Sequence, residues 1–471
     1  MELIQVVTWN LSDIVKAVDG ELINAPVDDI KISGVYHDSR NLKKGALFVP
    51  IIAERNGHDF IDSAIQNGAA ASFWSDDLKH APVNLPLIKV ENTEEAFMTF
   101  GKWYLEQVKP RVVGITGSNG KTTTKDMTAA VLGTKYRTHK TDANENNQLG
   151  VPKTLLSMPE DTEVLVLEMG MSAPGEITIL SKVGKPEVAV VTMIGESHIQ
   201  AFGSQEKLTE EKMSILDGLK EDGLFIHQAN EQLITDQLDD AIRDKTFGLE
   251  DTADIQALDI NEEIDSTSFT VKRNDTDSNE TIDITIPVPG SYNVQNAMIA
   301  TLIGLEFGLT LEEAKVGLEK LELTKNRLEW IDGKNDIRLL NDAYNASPSS
   351  MKAALGYFGN AKVDNEKIAV LGDILELGDQ SKEMHESIAE AVKLEKFKAV
   401  LLYGEEMKNL FTILNDRDSD THLEHFTGEK DVLIEEIEKI TEPGDAVLFK
   451  SSNGTDLLAV VDTLRADKEE N

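Results

Sequence analysis

Thr116-Gly117-Ser118-Asn119-Gly120-Lys121-Thr122-Thr123-Thr124, directly after the apolar run Val112 to Ile115, decides how this chain is read. The run predicts a buried strand that feeds a glycine loop ending in Lys-Thr. Such a loop holds a nucleotide triphosphate. Its glycines let backbone N–H groups approach phosphate oxygens, the lysine supplies a point charge, and the first threonine hydroxyl suits Mg²⁺. The spacing departs from the standard phosphate loop, which carries a glycine five positions before the glycine of Gly-Lys. Ile115 stands there, and Gly117 lies only three positions before Gly120. A helix-capable stretch, Lys125 to Leu132, follows and favours phosphate binding over a plain strand-to-helix turn.

The chain has 471 residues, more than one core can organise, and roughly two to four domains are expected. No apolar run approaches membrane-spanning length. Met1-Glu2-Leu3-Ile4-Gln5 lacks the basic and then apolar regions of a signal peptide. There is no cysteine, which excludes disulfide and thiol chemistry and fits a cytoplasmic location. The net charge of −38, from 46 basic and 84 acidic residues, argues against a nucleic-acid partner, whose phosphates call for a basic surface. A nucleotide site in such a field needs local lysines, arginines, amides and Mg²⁺ to reverse it. The acidity itself reads as solubility.

Working outward, Asn92 to Val108 reads as a helix with capping-box spacing at Asn92 and Glu95 and one apolar face through Phe97, Phe100 and Tyr104. Lys109-Pro110 ends it, and the first boundary falls there. The organisation read from the sequence is 1–109, 110–325 and 326–471, all α/β. In the middle region, Glu163 to Glu168 and Glu187 to Thr192 read as buried parallel strands. Thr267 to Val271 and Thr281 to Pro287 read as an antiparallel pair. Tyr292 to Phe307 and Leu311 to Leu321 read as helices, the second capped by Thr310 with Glu313. In the last region strands are expected at Ile337 to Asn341, Lys367 to Leu371, Ala399 to Tyr403 and Ala446 to Phe449. Helices are expected at Pro348 to Phe358, Lys382 to Leu394, Lys430 to Ile440 and Thr455 to Leu464. Asp467 to Asn471 reads as an acidic frayed tail.

Several groups carry candidate chemistry, each with a plainer alternative. Glu168 leaves the carboxyl end of a buried strand beside the loop, where it suits Mg²⁺ or is simply a solvated strand end. His198 follows the next apolar strand and is a metal or phosphate ligand, or a structural histidine. Lys212, in the helix expected over Leu208 to Leu219, is by pattern alone an ordinary surface lysine. Asn144, Asn146 and Asn147 offer amides to a sugar, peptide or phosphate, or form a turn cluster. Arg327, near the last boundary, reaches a phosphate or makes a linker ion pair.

Taken in order, these residues resemble the Mur ligases, over essentially the whole chain. The resemblance rests on Asp38-Ser39-Arg40 followed by Gly45-Ala46-Leu47-Phe48 and Gly57-His58-Asp59-Phe60, on the glycine loop, on Asn144 to Leu156 (NENNQLGVPKTLL), and on Glu168-Met169-Gly170. It continues in Gly290 to Ala297 (GSYNVQNA), Asp342 to Met351 (DAYNASPSSM) and Val370 to Gly378 (VLGDILELG). The glycine loop is shared with folylpolyglutamate synthetases. The asparagine loop and the last two segments point to the branch that adds D-alanyl-D-alanine.

The resemblance implies three domains: a UDP-sugar-binding domain, a P-loop-type ATPase domain and a Rossmann-like domain for the incoming dipeptide. It implies ATP and two Mg²⁺ ions as cofactors, UDP-N-acetylmuramoyl-tripeptide and D-Ala-D-Ala as partners, and a monomer. ATP would phosphorylate the tripeptide carboxylate, and the dipeptide amine would displace phosphate. Lys121 and the loop, Thr116 to Thr123, would hold the phosphates. Thr122 and Glu168 would hold one Mg²⁺, and Glu168, His198 and a carbamylated Lys212 the second; Lys207 competes with Lys212 for that role. Asn293 and Asn296 would lie beside adenine, Asp342 beside ribose, and Arg327 at the γ-phosphate. Ser39 and Arg40, with Asn144, Asn146 and Asn147, would meet the UDP-sugar substrate. Ser347 stands where the family often has asparagine, and Lys450-Ser451-Ser452-Asn453 is a loose form of its Lys-Gly-Ser segment, for which no role is assigned. The alternatives are a Mur-type ligase for a single amino acid, a folylpolyglutamate synthetase, or a nucleotide-binding regulator without chemistry.

Overall fold

The computed structural model describes residues 7–276, 280–322, 324 and 328–466. Arg327, the N-terminal Met1 to Gln5 and the tail Asp467 to Asn471 lie outside the described residues.

The central sheet has nine strands. Thr138–Lys140, Val164–Glu168, Arg111–Thr116, Val188–Val191, Leu224–Gln228, Arg243–Gly248 and Ile255–Glu262 run parallel in that spatial order. Thr267–Arg273 and Thr281–Ile286 complete the edge as the expected antiparallel pair. The glycine-loop strand Arg111–Thr116 lies between strands from later in the chain, at the point where strand order reverses. Ligands of open α/β sheets gather outside the carboxyl ends of strands at such a point. Register brings the ends together: Glu168 pairs with Ile115, and Val191 with Thr116.

The first domain carries a five-stranded sheet of very short strands, with Ala71–Trp74 and Leu47–Phe48 at its centre. Its last helix, Thr93–Val108, is capped by the Asn92 side chain, which accepts from Glu94 and Glu95 N–H, and ends at Lys109 in left-handed backbone. Phe97, Phe100 and Tyr104 on this helix share one apolar cluster with Val151, Leu155, Leu165 and Leu167 of the central domain. The Tyr104 hydroxyl donates to Met158 O at 2.8 Å.

The third domain has a six-stranded sheet, in the order Glu329–Asp332, Arg338–Asp342, Ala446–Lys450, Lys367–Gly372, Ala399–Tyr403, His422–Phe426. Only the first strand is antiparallel to its neighbour. Among the described residues its apolar clusters draw on none before Leu328. Near the start of this domain Trp330 Nε1 and the Tyr357 hydroxyl both donate to Ile264 O of the central domain, at 2.9 and 2.5 Å. Asp126, on the glycine-loop helix, accepts from the N–H and hydroxyl of Thr324 in the linker, at 2.9 and 2.8 Å.

Three expected helices differ. Lys382 to Leu394 is a short helix, Ser381–Ser387, followed by separate 3₁₀ turns at Ile388–Glu390 and Leu394–Lys396. Thr455 to Leu464 begins only at Leu458, because Asp456 takes left-handed backbone. Leu208 to Leu219 is a helix over Gln205–Met213 and then tightens into a 3₁₀ turn. In each, the apolar spacing continues across a backbone break that side-chain pattern does not report.

Candidate active site

The glycine loop spans from the strand Arg111–Thr116 to the helix Lys121–Leu132. Gly117 has φ +145°, and a Cβ there would collide with Thr192 Oγ1. Gly120, at φ +82°, caps the helix, and its Cβ would fall 2.6 Å from Asn296 Oδ1. Only glycine fits both places. Lys121 Nζ curls back to Gly117 O at 2.7 Å, and the Thr192 hydroxyl holds Asn119 O at 2.5 Å. Ser118 N donates to Met193 O, and its hydroxyl accepts from Gly195 N.

Behind the loop is a buried acid. The Thr122 hydroxyl donates to Glu168 Oε1 at 3.2 Å, and Asn146 Nδ2 donates to the same oxygen at 2.7 Å. Glu168 Oε2 is buried with no hydrogen-bond partner among the described residues; the Lys125 ammonium stands 4.0 Å away. A buried carboxylate oxygen left over beside a threonine hydroxyl is a hard-oxygen pair suited to Mg²⁺.

Lys212 overturns its surface reading. It is 1% exposed, whereas Lys207, the competing lysine, is exposed. Burial, and then the charge of nearby Lys121, hold the Lys212 ammonium well below its ordinary range. The helix buries one face, Leu208, Thr209, Lys212 and Met213, and the lysine lies on it.

His198 has left-handed backbone, φ +67°, and its Nδ1 lies 2.5 Å from Glu376 Oε2 of the third domain. This hydrogen bond, above all, lowers the Glu376 carboxyl. A second crossing joins Asn119 Nδ2 to the Ser347 and Ser349 hydroxyls at 2.9 and 3.2 Å, and Ser349 to Glu196 at 3.1 Å. Ser347 caps the helix Pro348–Asn360.

Between the two domains lies a cavity of about 300 Å³, lined by Asn119, Gly120 and Thr123 on one side and Asp342, Tyr344 and Lys450 on the other. Asn293 and Asn296 line it too; they hydrogen-bond each other at 3.0 Å, and Thr124 donates to Asn296. Lys450 pairs with Asp342 at 2.6 Å across adjacent strands. Tyr292, also lining the cavity, has its phenol pushed well above its ordinary range, chiefly by burial and then by Asp342.

The remaining expected residues sit elsewhere. Asn147 Oδ1 accepts from the N–H groups of Leu149 and Gly150 ahead of the helix Gly150–Ser157, and Asn144 is exposed. Ser39 is buried; Arg40 is exposed and forks onto Asp38, whose carboxyl that hydrogen bond lowers to about 2. Neighbouring His37 is lowered by burial and then by the charge of Lys153, on the helix Gly150–Ser157. Sequence reading missed Thr192, Tyr292, Ser349, Glu376 and Lys450. Thr192 and Lys450 had a signal: each is the polar residue closing an apolar strand run.

Family models match along the chain: the Mur ligase family catalytic domain over residues 31–100, the Mur ligase middle domain over 115–304, and the Mur ligase glutamate ligase domain over 326–453. The UDP-N-acetylmuramoyl-tripeptide–D-alanyl-D-alanine ligase of Bacillus subtilis is 40% identical over 457 residues, covering 96% of this chain and 98% of the relative. The chain belongs to the Mur ligase family. The ligase of the same name from Escherichia coli is 34% identical over 86% of this chain and 88% of its own. Among solved Mur ligases, MurF from Acinetobacter baumannii superposes with a TM-score of 0.85 at 26% identity, covering 98% of this chain and 99% of that one. MurF from Thermotoga maritima, in complex with ADP, gives 0.78 at 26% identity over 91% and 96%.

Proposed function

We propose that this chain joins D-Ala-D-Ala to UDP-N-acetylmuramoyl-tripeptide, coupled to conversion of ATP to ADP and phosphate, in the making of peptidoglycan precursor. The observation that carries the reading is the end-to-end likeness to ligases of that name. We assign residues 1–109 to the UDP-sugar, 110–325 to ATP and 326–471 to the dipeptide. Among the described residues no helix is long and apolar enough to cross a membrane.

The chemistry sets a clear demand. The tripeptide carboxylate attacks the γ-phosphorus, the bond to the bridging oxygen breaks and ADP leaves. The dipeptide amine then attacks the acyl carbon, phosphate departs, and the amine gives up a proton. The first step brings anion to anion, so neutralisation is the main catalytic requirement. In this reading Lys121 and the loop amides hold the phosphates, Asn293 and Asn296 flank adenine, and Asp342 with Lys450 meets the ribose side. Thr122 and Glu168 would hold one Mg²⁺, with Glu168, His198 and Lys212 holding a second; the ions supply positive charge where the two anions meet. An ammonium repels Mg²⁺. Burial disfavours the Lys212 ammonium and so eases loss of its proton; the free amine would add CO₂ and release a second proton, giving a carbamate, an oxygen ligand.

ADP release measured with UDP-muramoyl tripeptide and D-Ala-D-Ala tests the reading. Release should require both substrates. Full turnover without the dipeptide overturns it, and activity with a single amino acid or a folate acceptor moves the chain to another branch.

A further inference from the structure

The segment Val370 to Gly378 marks the family branch but has no part in the chemistry above. Its backbone is fixed from within the third domain: Ile374 N donates to His385 Nε2 at 3.1 Å, and Leu375 N to Ser452 Oγ at 3.0 Å. The chain then turns through Glu376 at φ +64° and Gly378 at φ +57°. Left-handed backbone at a residue with a β-carbon is held against its own preference. Here it pushes Glu376 out toward the central domain. The facing residue, His198, is left-handed as well. Glu376 Oε2 lies 2.5 Å from His198 Nδ1, and nearby Gln200 N donates to Glu376 O at 3.4 Å.

We propose that Glu376 is a positioning residue for His198, delivered by the third domain only when that domain is seated. The inference rests on the reading of His198 as a ligand of the second cation. A neutral imidazole has one N–H. A carboxylate at Nδ1 draws the hydrogen there and leaves the Nε2 lone pair to the metal, as outer-sphere carboxylates do for metal-bound histidines. With the third domain away, the ring is released to the tautomer that carries hydrogen on Nε2. The cation site of the central domain is then complete only when the dipeptide-binding domain has arrived, so the acyl phosphate forms only where the acceptor can capture it. Other crossings, Ser349 to Glu196 and Asn119 to Ser347, persist without Glu376.

The test uses the full chain carrying Glu376→Ala or Glu376→Gln, with His198→Ala in parallel. Loss of an outer-sphere partner costs about 10–100-fold in metal affinity or activity. Glu376→Ala should therefore raise the half-saturating Mg²⁺ concentration at least tenfold and lower kcat, while KM for ATP stays within twofold. Glu376→Gln, whose amide oxygen still accepts from Nδ1–H, should recover most of the loss. In the metal-free protein, long-range ¹⁵N–¹H spectra should show His198 protonated on Nδ1 in the wild type and in Glu376→Gln, and on Nε2 in Glu376→Ala. If His198→Ala is inactive but Glu376→Ala keeps its Mg²⁺ dependence and tautomer, the positioning role is overturned. If His198→Ala itself turns over normally, the ligand reading fails instead.

Discussion

The two seams of this molecule are built from opposite materials. The first domain meets the central one through a shared apolar cluster: Phe97, Phe100 and Tyr104 pack with Val151, Leu155, Leu165 and Leu167. The third domain meets the central one through hydrogen bonds and an ion pair, around a cavity, and its apolar clusters stay on its own side. An apolar seam separates only by exposing its surface to water, whereas polar contacts exchange for water at little net cost. The first two domains are therefore expected to move as one body, and the proposed chemistry lies at the polar joint, the one that water can part. The nucleotide half of the site is pre-assembled on buried strand ends; the other half is brought to it.

The largest expected effect breaks the pre-assembled half. Lys212→Ala should lower turnover at least about 10²-fold, as loss of a preorganised electrostatic group does. Added short carboxylic acids should restore part of it in ADP-release assays; full activity without rescue would remove Lys212 from the site. Next, Phe100→Ala attacks the apolar seam and should cost about 3–5 kcal/mol. Hydrogen exchange should then rise in the first and central domains together and stay unchanged in the third. Exchange confined to the first domain would contradict the single body. Ser349→Ala removes one polar crossing. It should cost about 1 kcal/mol, or about fivefold in kcat, with unfolding midpoints unaltered.

The smallest effect is one of pH. Because the folded Lys212 titrates well below its ordinary 10.5, the unfolded chain holds a proton there that the folded one lacks between those two values. Stability from this group therefore rises with pH through that window and is lost as pH falls toward the folded value. Lys212→Met should flatten that slope in urea titrations at successive pH values. An unchanged slope would mean that the lysine stays charged in the folded chain as it does in the unfolded one.

Much of the central domain was legible because buried parallel strands are continuous apolar runs, and the polar residue ending each run is carried to the cleft. Glu168 and the glycine loop were found that way. Lys212 was not: its helix is mostly polar, and its burial is decided by what packs on it. The first domain's strands, some only Val35–Tyr36 or Leu47–Phe48 in length, are too short to show a period. Arg243–Gly248 was missed because it opens with charged residues at an exposed end. Glu376 lay inside a segment already quoted for the resemblance, but nothing in that segment gave it a role, since its partner is a histidine 178 positions earlier.

Trp330 and Tyr357 grip one carbonyl, that of Ile264. Once the cleft contacts at Asn119, Glu196 and His198 part, a body still held at that carbonyl swivels rather than slides. The jaw formed by Asp342, Ser349 and Glu376 thus sweeps an arc about that peg, and a replacement that disturbs Ile264 would change where the jaw lands without touching any group that meets ATP.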